Sequence, residues 1–275
     1  MNAGLHKDEI VGKIFSIVTC CHHDGPGLRT IINFKGCPLR CWWCHSPQSQ
    51  YHIDELAYDP ALCIGCFLCV RACRSSAIST DNKTIRIDRK ICNLCFDCMQ
   101  RCPTTALKKV GSEITIEQAL EILLRDRDLF YYTGGGVTLS GGEPLFQPNF
   151  TLELMRALKL EGVHVVLETC GEVEPMIIDQ ASRLADLILF DVKLLDDDLH
   201  RANTGVGNGT ILHNLQLATH LTNVKVRCPL VPGVNDDAVS IHGLRALCDE
   251  LHIEEPELLP FNYAYIGMKK RVGHE

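Results

Sequence analysis

No stretch of about 18 consecutive apolar residues occurs in this 275-residue chain, so no membrane-spanning helix is expected. The opening residues, MNAGLHKDEIVG, lack the apolar core of a secretory signal. There is no long basic block either. The 34 acidic residues outnumber 27 lysines and arginines for a net charge of −7, which argues against nucleic acid as a partner. These absences leave a cytoplasmic protein, and a hydrophobic content of 46% is ordinary for a packed core. The length suits one full-sized domain, or one domain carrying a small insert.

Cysteine is present in excess, at 16 residues. Without an export signal, that number points to metal binding instead of disulfides. Eleven of the 16 lie between Cys37 and Cys102 in three tightly spaced groups. The other five, Cys20, Cys21, Cys170, Cys228 and Cys248, are scattered and read as small packing or loop residues.

Residues 13–19 (KIFSIVT) and 29–34 (RTIINF) alternate and are β-branched, predicting two strands joined by turn chemistry at 24–27 (DGPG). After residue 110 the chain alternates regularly. Helices are predicted at 116–130, 150–161, 175–184, 212–221 and 239–251, the first with Thr115 as N-cap and Gln118 completing a capping box. Nearly all-apolar strands are predicted at 136–140, 163–168, 187–191, 224–231 and 256–261. This is the pattern of a parallel sheet covered by helices, either a TIM-type barrel or an open doubly wound sheet. In both, ligands sit at the carboxyl ends of the strands.

Cys37, Cys41 and Cys44 follow the second strand in the spacing CxxxCxxC. Three thiolates on one short loop can hold three corners of an iron–sulfur cube, whose fourth iron stays open to a substrate. Zinc is the alternative, but it would want a fourth ligand, and His45 can scarcely reach round the same ion as its neighbour Cys44. Two polar motifs fall at strand ends. Residues 140–144 (SGGEP) offer bare backbone for close approach to a ligand. In Asp191-Val192-Lys193, alternation points both charged residues to one side.

CxxxCxxC with an aromatic residue, Trp43, before its third cysteine resembles the radical SAM superfamily. The resemblance implies an α/β fold, a partial (β/α)6 TIM-type barrel, with a [4Fe–4S] cluster on Cys37, Cys41 and Cys44. It implies S-adenosylmethionine (SAM) as a co-substrate that chelates the open iron and is cleaved by one electron to a 5′-deoxyadenosyl radical. Gly141, Gly142 and Glu143 match the family's GGE motif, which contacts the SAM methionyl amine. Asp191 and Lys193 match the DxK of one subfamily, the glycyl radical enzyme activating enzymes, in which those residues lie at the SAM site. Residues 24–29 (DGPGLR) match their DGPGxR, and His242 stands where they place a SAM-contacting histidine after residues 231–236 (VPGVND). In the pyruvate formate-lyase activase, the counterpart of Asp24 and an acid on a later strand share a monovalent cation. Glu168 is that second acid here, in place of aspartate. The resemblance spans residues 13–261, and relatives usually run on into a C-terminal helix, whereas this chain stops about a dozen residues later.

Between residues 51 and 109 two similar runs, Cys63/Cys66/Cys69/Cys73 and Cys92/Cys95/Cys98/Cys102, flank an alternating stretch at 84–88. This internal duplication reads as an inserted unit, with 1–50 and 110–275 forming the barrel. Both runs follow the bacterial two-cluster ferredoxin pattern, in which the fourth cysteine of each serves the other cluster. The expected sets are Cys63, Cys66, Cys69 and Cys102, and Cys92, Cys95, Cys98 and Cys73, for a total of three [4Fe–4S] clusters. Arg74 stands where a proline is expected after Cys73. With four thiolates each, these two clusters are expected to transfer electrons or support structure, and paired zinc sites are the alternative.

The resemblance therefore implies an activase that docks on a large glycyl radical enzyme and takes hydrogen from one glycine of a mobile loop. The products are a glycyl radical, methionine and 5′-deoxyadenosine. The insert points to the types serving diol dehydratase, choline lyase, arylacetate decarboxylase and benzylsuccinate synthase. A radical SAM dehydrogenase or mutase acting on a small molecule is the first alternative, against which DGPGxR and DxK speak. A plain electron carrier is the second, and it has no use for an open iron. A flavodoxin or ferredoxin-type reductant, a monomeric state and anaerobic operation complete the expectation.

Overall fold

Valine- and isoleucine-rich runs set the frame. In a computed structural model describing residues 10–274, β1 (Val11–Cys21) returns antiparallel as β2 (Arg29–Phe34). The chain then leaves the main sheet to form β3 (Glu55–Tyr58), α1 (Leu68–Ala72), a hairpin of β4 (Ile78–Asp81) and β5 (Thr84–Ile87), α2 (Asp97–Gln100) and β6 (Leu107–Val110). β3 and β6 pair antiparallel and close this excursion on itself. β7 (Ser112–Thr115) rejoins the sheet beside β1.

From there helices and strands alternate. α3 (Ile116–Leu123) and α4 (Arg127–Thr133) lead to β8 (Gly136–Gly141), and α5 (Pro148–Leu160) to β9 (His164–Thr169). α6 (Pro175–Ser182) leads to β10 (Leu187–Asp191), α7 (Asp197–Thr204) and α8 (Gly209–Thr219) to β11 (Val224–Pro229), and α9 (Ala238–Glu250) to β12 (Glu257–Leu259). α10 (Tyr265–Val272) follows.

β2, β8, β9, β10, β11 and β12 are successive parallel neighbours, and their order never reverses. A doubly wound sheet would reverse at a switch point. The winding is that of a barrel left open between β12 and β7. Val165–Leu167 of β9 and Ile188–Phe190 of β10 are at most 3% exposed, because parallel strands are covered on both faces. α5 seats itself through Phe150, Leu154, Met155 and Leu158, the apolar stripe of a helix packed on a sheet. Among the described residues no helix is long and apolar enough to cross a membrane.

The structure departs from the sequence reading at several elements. The helix predicted over 116–130 breaks into α3, a 3-10 turn and α4, where Asp126 turns to accept a 2.7 Å hydrogen bond from the Thr30 hydroxyl on β2. α7 is additional. So is α10, in the tail that the sequence reading left without an element. α10 packs on β3 and on the Pro47–Ser49 turn, and Arg271 reaches Asp59 at 2.8 Å.

The excursion has its own small core, in which Leu56, Ile78, Ile85 and Leu107 surround Cys69 and Cys98. Its duplication is visible in the backbone. Gly65 and Leu94, Phe67 and Phe96, and Ser76 and Thr105 are pairs 29 residues apart, and all six have positive φ. Non-glycine residues adopt this conformation at a cost, so its recurrence at matched positions marks a loop shape imposed by role. A buried ion pair ties the excursion to the barrel. Lys35, fully buried at the end of β2, bonds Glu55 at 2.7 Å, and Glu55 also meets His274 at 2.5 Å.

Candidate functional site

The six parallel strands end on one rim, and a cavity of about 630 Å³ opens there, within the ~300–1,000 Å³ typical of small-molecule sites. Cys37, Cys41, Trp43 and Cys44 line it from the loop after β2. Gly141 and Gly142 line it from the end of β8, and Asp191 and Lys193 from the end of β10. Asp24 and Glu168 share the same wall. Of the residues expected at the site, Glu143 and His242 are not on it.

The cysteine loop is held from three sides. The Cys37 N–H donates to Gln50 O at 3.1 Å, and the Gln50 amide donates to Cys41 O at 3.2 Å. The Arg40 N–H donates to Thr204 O at 2.6 Å, and the Trp42 indole to Asn203 Oδ1 at 2.8 Å, both at the end of α7. The Gly142 and Glu143 N–H groups donate to Phe34 O and Gly36 O at 2.9 and 2.8 Å. A Cβ on Gly142 would sit 2.4 Å from Gly36 O, and Gly141 has φ 111°. Both glycines are thus needed for the backbone of β8 to reach the cysteine loop.

Burial pushes the thiol of Cys41 up to about 12 and that of Cys44 up to about 11, with repulsion from the neighbouring cysteines adding to it. Cys37 is lowered instead, chiefly by a hydrogen bond from Cys170. Cys41 and Cys44 thus resist becoming free thiolates, and the positive charge of an iron core beside them would lower both. Among the described residues no three His, Cys, Asp or Glu side chains converge on the point one ion would occupy.

Lys193 donates to Asp191 at 2.9 Å with both side chains largely buried. Burial alone would lower the lysine, but the Asp191 carboxylate and Cys41 hold it well above its ordinary value. At Asp24 and Glu168, where a cation was expected, a side chain lies between the two acids. Arg227 Nη1 lies 2.8 Å from Asp24 Oδ1 and 3.1 Å from Glu168 Oε1. The other Glu168 oxygen accepts from the Ser140 hydroxyl. The guanidinium already neutralises the pair that an ion was expected to bridge. Even so, burial, and then the charges of Asp191 and Asp24, push Glu168 up to about 7.

Two further expected residues lie off the cavity. Glu143 is fully buried and points away from the cavity. Its Oε1 accepts from the Leu145 N–H and the Thr169 hydroxyl, both at 2.9 Å, and its Oε2 from the Cys170 N–H at 2.7 Å. It clamps the end of β8 to the end of β9. Glu143→Gln turns one acceptor into a donor facing a donor, and is expected to destabilise the protein by about 1–3 kcal/mol, read as a lowered thermal midpoint under anaerobic conditions. His242 is exposed on α9 and does not reach the rim cavity. Arg29 of DGPGLR is fully buried and pins the turn, donating to Thr138 Oγ1 and Val137 O at 2.7 Å and to Pro26 O at 2.9 Å.

In the excursion, Cys63, Cys66, Cys69 and Cys102 line one small cavity. Cys98 has Cys92 and Cys73 among its electrostatic neighbours. Burial raises the thiols of Cys73 and Cys102, yet hydrogen bonds outweigh it and leave both lowered. Ser75, Ala77 and Ile78 supply those bonds to Cys73, and Leu107, Thr104 and Ala106 to Cys102. The Ala77 N–H donates to Cys73 Sγ at 3.2 Å. This favours thiolate, the form that binds metal. Of the five scattered cysteines, Cys228 and Cys248 are buried packing residues, whereas Cys20 is exposed.

Cys170 and Arg227 belong to the site although neither was singled out. Nor were Asn203 and Thr204, yet α7 had readable ends: Asp196 as N-cap, acids at 197 and 198, and Gly205 in the left-handed C-terminal position.

The model of the radical SAM superfamily matches residues 31–242. The chain is 39% identical over 270 residues to the choline trimethylamine-lyase activating enzyme of Oleidesulfovibrio alaskensis, covering 95% of this chain and 87% of that one. It is 39% identical to the (2S)-3-sulfopropanediol sulfolyase activating enzyme of Bilophila wadsworthia, over 94% and 89% of the two chains. It is 38% identical to the trans-4-hydroxy-L-proline dehydratase activating enzyme of Clostridioides difficile, over 90% and 84%. The chain belongs to the radical SAM superfamily and, within it, to the activating enzymes of glycyl radical enzymes.

Proposed function

We propose that this chain installs a glycyl radical on a partner enzyme by drawing one hydrogen atom from a glycine Cα into 5′-deoxyadenosine. The observation that carries the reading is the meeting of Cys37, Cys41 and Cys44 with Gly141, Gly142, Asp191 and Lys193 in one cavity at the barrel rim. A [4Fe–4S] cluster on the three cysteines supplies the open iron that SAM chelates and the electron that cleaves it. The bare backbone of Gly141 and Gly142 accepts the methionyl end at close range. Asp191 and Lys193, held to each other, present a fixed dipole to the polar groups of the cofactor. Trp43, 6% exposed, covers the cluster side and excludes water from a species that would react with it.

The excursion forms a ferredoxin-like unit with two further [4Fe–4S] clusters. One is held by Cys63, Cys66, Cys69 and Cys102, the other by Cys92, Cys95, Cys98 and Cys73. What supports this is the shared cavity of the first set and the hydrogen bonds that keep Cys73 and Cys102 ready as thiolates. Relatives of nearly equal identity are named for a lyase, a sulfolyase and a dehydratase, so the scaffold serves partners of differing chemistry. The partner here is a large enzyme presenting a glycine on a loop slim enough to enter the rim.

Anaerobic incubation with SAM, a reductant and the partner is expected to give a glycine-centred doublet by electron paramagnetic resonance, with stoichiometric 5′-deoxyadenosine. SAM cleavage without any protein radical would count against the reading.

A further inference from the structure

The two halves of the excursion share a backbone but not a surface. At positions 29 residues apart, Leu62, Ile64 and Leu68 of the first half correspond to Ile91, Asn93 and Asp97 of the second. The three apolar side chains of the first half are exposed by 43%, 67% and 42%. Cys66, in the same segment, is itself exposed. In the second half only Ile91 remains apolar, and Asp97 lies 3.7 Å from Arg74. Folding does not require the difference, because the same loop is built with either set. Large apolar side chains left in water within one seven-residue stretch mark a contact surface.

Charge narrows what makes that contact. Residues 60–87 carry Arg71, Arg74, Lys83 and Arg86 against a single acid, Asp81, and all five are exposed. The whole chain is at −7, whereas residues 51–109 carry nine lysines and arginines against six acids, so the excursion in both its halves is basic on an acidic molecule. The Lys83 carbonyl lies 2.7 Å from where a Cβ on Gly65 would stand, which puts Lys83 beside the loop bearing Ile64 and Cys66. Basic side chains on a unit that also exposes apolar ones steer acidic partners and repel basic ones.

The second half is turned to a different task. Arg89, next to Cys92, donates to the Arg271 carbonyl at 3.1 Å and so fastens that half to α10.

We propose that the face formed by Leu62, Ile64 and Leu68 is the docking surface for an acidic one-electron carrier protein. Electrons then enter at the cysteine set Cys63, Cys66, Cys69 and Cys102, and not at its twin. The proposal rests on the reading of the excursion as a two-cluster unit. In each encounter the carrier is oxidised by one electron and that set's cluster is reduced by one, with no proton or group moved. Interfaces of this transient kind are small, so two or three side chains set their strength.

The test uses the holoenzyme and a reduced flavodoxin, an acidic one-electron carrier. The variant Ile64→Asn/Leu68→Asp gives the first half the surface of the second. Reduction by flavodoxin, followed as bleaching of cluster absorbance in a stopped-flow instrument, is expected to slow at least about tenfold. The Kd for oxidised flavodoxin should weaken in parallel, while reduction by dithionite and iron content stay unchanged. Added salt should slow the wild-type flavodoxin reaction. An unchanged flavodoxin rate and Kd in this variant overturn the docking proposal, and so does an equal loss in Asn93→Asp of the second half. Iron analysis separates the two levels of inference. About 12 irons per chain keep the two-cluster reading standing whatever the rates show, and about four overturn both.

Discussion

Alanine at Cys37, Cys41 or Cys44 is expected to abolish SAM cleavage, leaving less than about a thousandth of the wild-type 5′-deoxyadenosine in a chromatographic assay. Losing even an indirect partner of a metal ligand typically costs about 10–100-fold, and a ligand itself costs more. In Cys37→Ala the two remaining sulfurs cannot compensate. Burial holds Cys41 and Cys44 at about 12 and 11, so neither forms a thiolate near neutrality without a cationic core beside it. Iron should fall by about four per chain. The comparison that gives the result meaning is Cys228→Ala. Cys228 is equally buried but belongs to the packed core, so it should lose stability and not cleavage. Retained cleavage in Cys41→Ala would remove the basis for the rim site altogether.

How much of this was legible in the chain varied with the range of the interaction. The strands of the barrel were plain because parallel strands buried on both faces must be continuous apolar runs, as in LILFD of β10. The first helix start was equally plain. Thr115 and Gln118 exchange hydrogen bonds of 3.2 and 3.1 Å, as the capping box requires. α7 escaped because it is short and polar, with His200 and Thr204 its only buried residues, so periodicity gave no signal although its caps did. The GGE motif located the turn correctly but not the direction of its acid. Backbone hydrogen bonds carry Gly142 and Glu143 back toward β2, and the Glu143 carboxylate then faces the interior of the protein. The least legible feature was Arg227, whose partner Asp24 lies 203 residues away in sequence. No local pattern reports a pairing of that range.

Arg227→Met is the second substitution expected to have a large effect. It leaves Asp24 and Glu168 facing one another, with Asp191 near, and no positive charge between them. Breaking a largely buried pair by removing one partner costs about 3–5 kcal/mol, and the 22% exposure of both acids places this case toward the lower figure. Denaturant titration of the anaerobic protein should show the loss. The pH dependence should change with it. Glu168 is raised from its ordinary 4.5 to about 7, by burial and then by Asp191 and Asp24. The folded protein therefore keeps this proton to higher pH than the unfolded chain does. The contribution is present in full below about 4.5 and is lost as pH rises toward 7. Without the guanidinium the carboxyl should hold its proton to higher pH still, extending the decline past neutrality, whereas Glu168→Gln in the otherwise wild-type chain should flatten it. Sodium or potassium should then partly restore Arg227→Met, because the emptied space between the two acids is the one an ion was expected to fill. Unchanged stability, or no response to either ion, would show that the arginine does not organise these carboxylates. A fixed guanidinium differs from an exchangeable ion in one respect that matters beside a radical site. Its charge cannot leave when salt is dilute, so the potential around Asp24 and Glu168 is set by the chain and not by the medium.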